Sequence, residues 1–223
     1  MNDNLEREDK FANYLLVEGD DDKHLFAQLI SYHQLSARFK IRNETLEIRP
    51  KNGIHNLLDT LKTELKGSEQ RRFGIVVDAD TNLAACWQAI RSKLVDVGYL
   101  MVPEYPNPDG TIIKQDGWPV IGVWLMPDNK VHGTMEDFAG FLVPRNDLLW
   151  PMAGDVLQKV IERDRRFRES YQSKACLHTW LAWQEEPGTP LRLAITKRYL
   201  DANAAYAQQF ISWIRQLFGL EPV

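Results

Sequence analysis

Tyr14-Leu15-Leu16-Val17-Glu18-Gly19-Asp20-Asp21-Asp22 is the stretch on which the reading of the fold turns. Four apolar residues stopped by Glu-Gly predict a buried strand that ends in a turn. The three aspartates fall where N-caps and first-turn acids belong, and Leu25, Phe26, Leu29 and Ile30 follow at helical spacing. Further along, Leu46 to Ile48 predict a strand and Lys51-Asn52-Gly53 a turn. Leu57, Leu58, Leu61 and Leu65 then mark an amphipathic helix closed by Gly67. A third unit opens with Phe73 to Val77 (FGIVV), runs into Asp78 and Asp80, and continues as a helix over Leu83–Val97. Three consecutive strand–helix units predict an α/β fold with a mainly parallel central sheet. Interior parallel strands read as unbroken apolar runs, and YLLV and FGIVV do. Ligands of such sheets bind beyond the carboxyl ends of the strands, where both acidic clusters lie.

Past residue 100 the pattern changes. PEYPNPDGTIIKQDGWP (103–119) predicts a loop with a hairpin through Ile112 and Ile113, and VIGVWLM (120–126) a further strand. Helices are expected at about 146–170, 173–184 and 203–218, interrupted by the turn EEPGTP, with Trp150, Trp180, Trp183 and Trp213 packing this part on the sheet. The expected organisation is one domain over 1–223, with an α/β core at 12–140 and a helical extension at 141–223.

The apolar fraction of 44% and charged fraction of 26% are those of an ordinary globular protein. Cys86 and Cys176, dispersed and each in a helical stretch, support neither a disulfide framework nor a zinc cluster. No apolar run approaches a membrane span, and the polar start MNDNLEREDK is unlike a signal peptide, so the expectation is a cytoplasmic protein without a membrane partner. A net charge of −4 argues against a dedicated basic nucleic-acid binder. Charge is uneven, however. Arg38, Lys40, Arg42, Arg49 and Lys51 form one basic stretch, and Lys159, Arg163, Arg165, Arg166, Arg168 and Lys174 a second. Basic arms around an acidic centre suit a metal-dependent phosphodiester enzyme, although either stretch can equally be solvated surface.

The candidate centre comprises Glu18 and Asp22 after the first strand, Asp78 and Asp80 after the third, and Glu136 with Asp137 in GTMEDF after the late strand. Asp78 and Asp80 are two apart, which in an extended stretch puts both side chains on one side. Clustered carboxylates suit Mg²⁺ or Mn²⁺, which want hard oxygen ligands. Left unpaired, they hold protons at raised pKa. The competing readings are local: Asp20 to Asp22 as helix caps, DxD as a turn, and Glu136-Asp137 as a cap for a helix at Phe138. His24, His55 and His132 lack metal-pair spacing, and Trp118, Trp124 and Tyr105 are read as packing residues. A Gly-rich phosphate loop and a Gly-x-Ser-x-Gly motif are both missing.

Val17-Glu18-Gly19-Asp20-Asp21-Asp22 and Val77-Asp78-Ala79-Asp80 resemble the two motifs of the Toprim fold, found in topoisomerases, primases, recombination proteins and OLD (overcoming lysogenization defect) nucleases. WLMPDN (124–129), GTMEDF (133–138) and LAWQEEPG (181–188) also resemble a bacterial and archaeal family of small Toprim-like proteins of unknown function. The resemblance implies a Toprim-like three-layer sandwich with a hairpin insertion and C-terminal helices. It implies Glu18 as metal ligand or general base, Asp78 and Asp80 as metal-binding aspartates, and Asp22 as the second acid of the first motif. Likeness to OLD nucleases adds Glu136 for a second metal and Lys174 as a transition-state-stabilising lysine. No ATPase domain, topoisomerase tyrosine domain or primase zinc module accompanies these motifs, so the catalytic part would stand alone or work with a separate partner such as an ATPase. The expected function is Mg²⁺- or Mn²⁺-dependent processing of DNA or RNA phosphodiesters, a nuclease being the leading form. The alternative is a non-catalytic binding module in a phage-defence or DNA-repair complex. A phosphotransferase or phosphatase is disfavoured, because Asp80-Thr81-Asn82 departs from the usual DxDx(T/V) setting of an aspartyl nucleophile.

Overall fold

A computed structural model describes residues 12–41, 44–65 and 71–220; the MNDNLEREDK start, Arg42 and the helix-closing Gly67 lie outside them. Five strands form one sheet: β1 (Ala12–Val17), β2 (Thr45–Pro50), β3 (Arg72–Asp78), β4 (Thr111–Ile113) and β5 (Val120–Met126). Their order is β2-β1-β3-β5-β4. The first four run parallel, and β4 closes the edge antiparallel to β5, with Ile112 opposite Gly122.

Period-two alternation assigns every inner strand residue to one of two faces. Tyr14, Leu16, Phe73, Ile75, Val77, Ile121, Val123 and Leu125 join one buried cluster. Leu15, Val17, Val76, Trp124 and Met126 join the other. Two helices, α3 (Ile54–Glu64) and α4 (Leu83–Val97), cover the first face through Leu57, Leu61, Trp87, Ile90 and Leu94. α4 is capped by Asn82, whose side chain accepts from the Ala85 N–H, and matches the span expected from sequence. The second face carries α1 (Asp20–Tyr32), α2 (Leu35–Ile41), α5 (Met135–Phe141), α6 (Leu149–Asp164), α7 (Gln172–Leu181) and α8 (Ala205–Phe218). The result is a three-layer α/β sandwich with a mostly parallel sheet.

α8 is the plug of the second face. It buries Phe210, Ile211, Trp213, Ile214, Leu217 and Phe218, and Trp213 packs against Trp124 with ring centroids 5.6 Å apart. Two glycines let it in: Gly74 and Gly122 are register partners on β3 and β5. A Cβ at Gly122 would stand 2.6 Å from a Leu217 methyl and 2.9 Å from the Trp213 ring. Gly122→Ala is therefore expected to destabilise the protein by about 1–3 kcal/mol through overpacking, read as a lower urea midpoint at unchanged slope.

Several sequence-based expectations need correction. Trp183 is 38% exposed and does not join the core, whereas Trp180 and Trp213 are fully buried. The expected 146–170 helix stops at Asp164, and a short 3₁₀ turn at Glu169–Tyr171 leads into α7. α2 carried no clear sequence signal. The first basic stretch is largely occupied by local partners: Arg38 donates to the Leu220 carbonyl at 2.6 Å, Arg49 pairs with Glu47 and Glu64, and Lys51 pairs with Glu64.

Candidate functional site

Because β2, β1, β3 and β5 are parallel, their carboxyl ends share one edge, and the turns leaving them build a cleft of about 510 Å³. Glu18, Asp22, Asp78, Asp80, Glu136 and Lys174 all line it. Each buried acid is held by backbone. Glu18 leaves β1 and accepts the Asp78 N–H at 2.8 Å, which clamps the ends of β1 and β3 together. Asp22 sits in the first turn of α1 and accepts the Gly19 N–H at 3.0 Å. Asp78, last residue of β3, accepts the Met135 N–H at 2.8 Å. Asp22 therefore both caps α1 and lines the cleft: one oxygen closes the helix start, and the residue is only 8% exposed among other acids.

Asp80 departs from the extended geometry expected of DxD. Its φ is +47°, and its N–H is tied to the Gly133 carbonyl at 2.9 Å, so the chain turns immediately after β3. Same-side alternation therefore does not apply between Asp78 and Asp80. Asp78 is half-buried, Asp80 is exposed, and both still reach the cleft. The acids of GTMEDF divide their roles. Asp137 caps α5 by accepting from the Thr134 N–H at 2.8 Å, and its other oxygen takes the Ser173 hydroxyl at 2.6 Å. Glu136 instead turns to the cleft and pairs with Lys174 at 3.3 Å. Gly133 must be glycine here: its φ is +150°, and a Cβ would stand 2.8 Å from an Asp137 oxygen.

Negative charge is crowded. Burial, and then the Asp22, Glu18 and Glu136 charges, push the Asp78 carboxyl well above the usual carboxylate range. Burial and then the Glu18 charge push Asp22 up to about 7. Glu18 is raised chiefly by burial, opposed by the N–H groups of Asp78 and Ile54. Behind them, burial and then the Glu18, Asp80 and Asp78 charges push the Cys86 thiol up to about 12, so it stays protonated and unreactive. Lys174 reaches Glu136 and lies 4.0 Å from Asp21, leaving the deeper Asp22 and Asp78 without a salt bridge among the described residues.

The donor set is one of hard oxygens under mutual repulsion, the chemistry that a hard divalent cation relieves. Among the described residues, no three His, Cys, Asp or Glu side chains already stand as a ligand set for one ion. Of the histidines at this end of the sheet, His55 sits near Glu18 and helps hold its charge, whereas His24 and His132 are exposed.

Sequence reading missed Asn52, Ser170 and Tyr171, which also line the cleft. Asn52 was detectable, because the turn leaving β2 must lie at the same sheet edge as those leaving β1 and β3. Ser170 and Tyr171 come from the 3₁₀ turn and gave no local signal. That turn continues directly from Arg165, Arg166 and Arg168, so the second basic stretch leads to the rim.

Fold and cleft together define an α/β protein whose mostly parallel sheet presents a carboxylate-lined site at its carboxyl edge. The chain belongs to the DUF3226 family, described as proteins of unknown function, whose family model matches residues 12–219. No curated protein and no solved structure matches it. Among the described residues no helix is long and apolar enough to cross a membrane.

Proposed function

We propose that this protein is a Toprim-like, Mg²⁺- or Mn²⁺-dependent enzyme that hydrolyses nucleic-acid phosphodiesters. One observation carries the reading: the ends of β1 and β3 and the starts of α1 and α5 deliver the buried Asp22 and the half-buried Glu18, Asp78 and Glu136 into one cleft, mutually repelling, beside Lys174. Asp22 and Asp78, with Glu18 and the exposed Asp80, would hold the ion, and Glu136 a second one. A bound divalent ion supplies Lewis-acid stabilisation of phosphoryl oxygens and a more acidic water. The chain's own part is positional. Backbone N–H groups fix one oxygen each of Glu18, Asp22 and Asp78, which orients the other. Lys174 would offset charge on the phosphate, and Arg165 and Arg166, which now pair with Glu169 and Asp164, would with Arg168 meet a strand's backbone at the rim.

The test pairs calorimetric titration with Mn²⁺ and Mg²⁺ and a cleavage assay on single- and double-stranded DNA and RNA. Millimolar or tighter binding, and strand scission that stops on chelation, are expected. A wild-type protein that binds neither ion would sink the reading.

A second reading is a binding module that works only inside a complex, with a separate protein such as an ATPase. It is favoured by the absence of a ready-made three-residue ligand set among the described residues and by the local engagement of Arg38, Arg49 and Lys51. Metal binding without turnover on any nucleic acid would select it.

A further inference from the structure

Beside the acid cleft lies a second cavity of about 490 Å³, within the size range of roughly 300–1,000 Å³ typical of small-molecule sites. The two share Asp80, Thr134, Glu136 and Ser170, so they adjoin. Their linings differ. The second cavity is lined by Phe141, Trp150 and Leu157 on one side and by the acids Asp80, Glu136, Asp137 and Glu169 on the other, and neither Lys nor Arg contributes to it. Without a cation of its own it does not suit a phosphate. Aromatic walls with carboxylate acceptors around them suit a flat ring whose edge carries amino donors.

Glycines shape this space. Gly140 lets Trp150 lie against α5, since a Cβ there would be 2.9 Å from the indole ring. Trp150 is further fixed edge-on to Trp180, with centroids 5.9 Å apart, and Phe141 is stacked on Tyr206 at 4.2 Å. Gly154 is different. It lies inside α6 and lines the cavity, yet a Cβ there would meet nothing within 4 Å. Packing does not require glycine at this place, and helix propensity disfavours it. Gly154 is exposed where it lines the cavity, so a large side chain there would narrow it.

We infer that this cavity is a nucleobase subsite, which seats the base of the nucleotide whose phosphate lies in the acid cleft. The inference rests on the phosphodiester reading for its phosphate, but its test does not. In metal-free buffer, calorimetry is expected to show adenosine binding and no heat from ribose. Gly154→Leu, which fills the space, is expected to weaken adenosine at least tenfold. Gly154→Ala, which only adds helix propensity, should keep binding and raise the melting temperature. Equal binding by wild type and a folded Gly154→Leu variant, or no adenosine binding by wild type at 10 mM (roughly the weak end of small-ligand affinities), overturns the subsite. With Mn²⁺ added, AMP and an oligo(dA) octamer identify the source of the base: tighter octamer binding means a strand, tighter AMP binding a free nucleotide. Loss of Mn²⁺ binding with adenosine binding intact removes the metal reading alone, and the converse removes the base subsite alone.

Discussion

Asp78→Asn is expected to leave a folded protein that has lost at least about a hundredfold in Mn²⁺ affinity, and its metal-dependent cleavage with it. Replacing groups that merely support a metal ligand already costs about 10–100-fold, so removal of the charge of a direct ligand should cost no less. The fold should survive because the one contact that Asp78 makes to backbone needs only an oxygen. An asparagine Oδ1 can accept the Met135 N–H in place of the carboxylate, which does so at 2.8 Å. The substitution also removes a negative charge from among Asp22, Glu18 and Glu136, the charges that raise Asp78 itself. Calorimetry and circular dichroism on the same sample decide the matter: wild-type Mn²⁺ affinity in a folded Asp78→Asn protein would place the ion elsewhere.

Asp22→Asn should stabilise the metal-free protein, by about 2–4 kcal/mol at pH 8. The folded carboxyl titrates at about 7 against an ordinary 3.8, and each unit is worth about 1.4 kcal/mol. Loss of a favourable acid in the first turn of α1 offsets about 0.3–1 kcal/mol of the gain. The direction with pH follows from proton counts. Between about pH 4 and 7 the folded chain holds this proton and the unfolded chain does not. Wild-type stability from this group is therefore complete below the unfolded value and is lost as pH rises through about 7. The advantage of Asp22→Asn should thus be largest at pH 8 and close by pH 4, as urea midpoints would record. Saturating Mn²⁺ should shrink it at pH 8, because the ion offsets the repulsion in wild type. A variant less stable than wild type at pH 8 in chelator would mean that Asp22 is not charged against its neighbours.

Both predictions concern residues that were legible in the sequence, and the reason is topological. YLLV and FGIVV could only be interior parallel strands, so acids directly after them had to gather at one edge. What stayed hidden was long-range. The Glu18–Asp78 clamp joins residues 60 apart in sequence and the Asp78–Met135 clamp residues 57 apart, and no local pattern marks either. The geometry of Asp80 was hidden for another reason: its left-handed turn is set by the Gly133 carbonyl across the edge, not by its neighbours. Trp183 was misplaced because it follows the end of α7, where helical spacing no longer says which way a side chain faces. The glycines of β3 and β5 were visible as residues, but their purpose appears only when Gly74 and Gly122 lie side by side under α8.

That glycine floor also sets an order in time. A nascent chain emerges from its amino end, and α8 spans residues Ala205–Phe218, after every strand and every other helix. Until it arrives, the face of the sheet around Trp124 lacks the ring of Trp213, and two neighbouring strands present bare glycine backbone where a side chain from another element must sit. The strands can pair during synthesis, but this side of the core cannot close before residue 218 is free of the ribosome. Until then the nascent chain carries an open apolar face, and that is the interval in which a chaperone would be of most use to it.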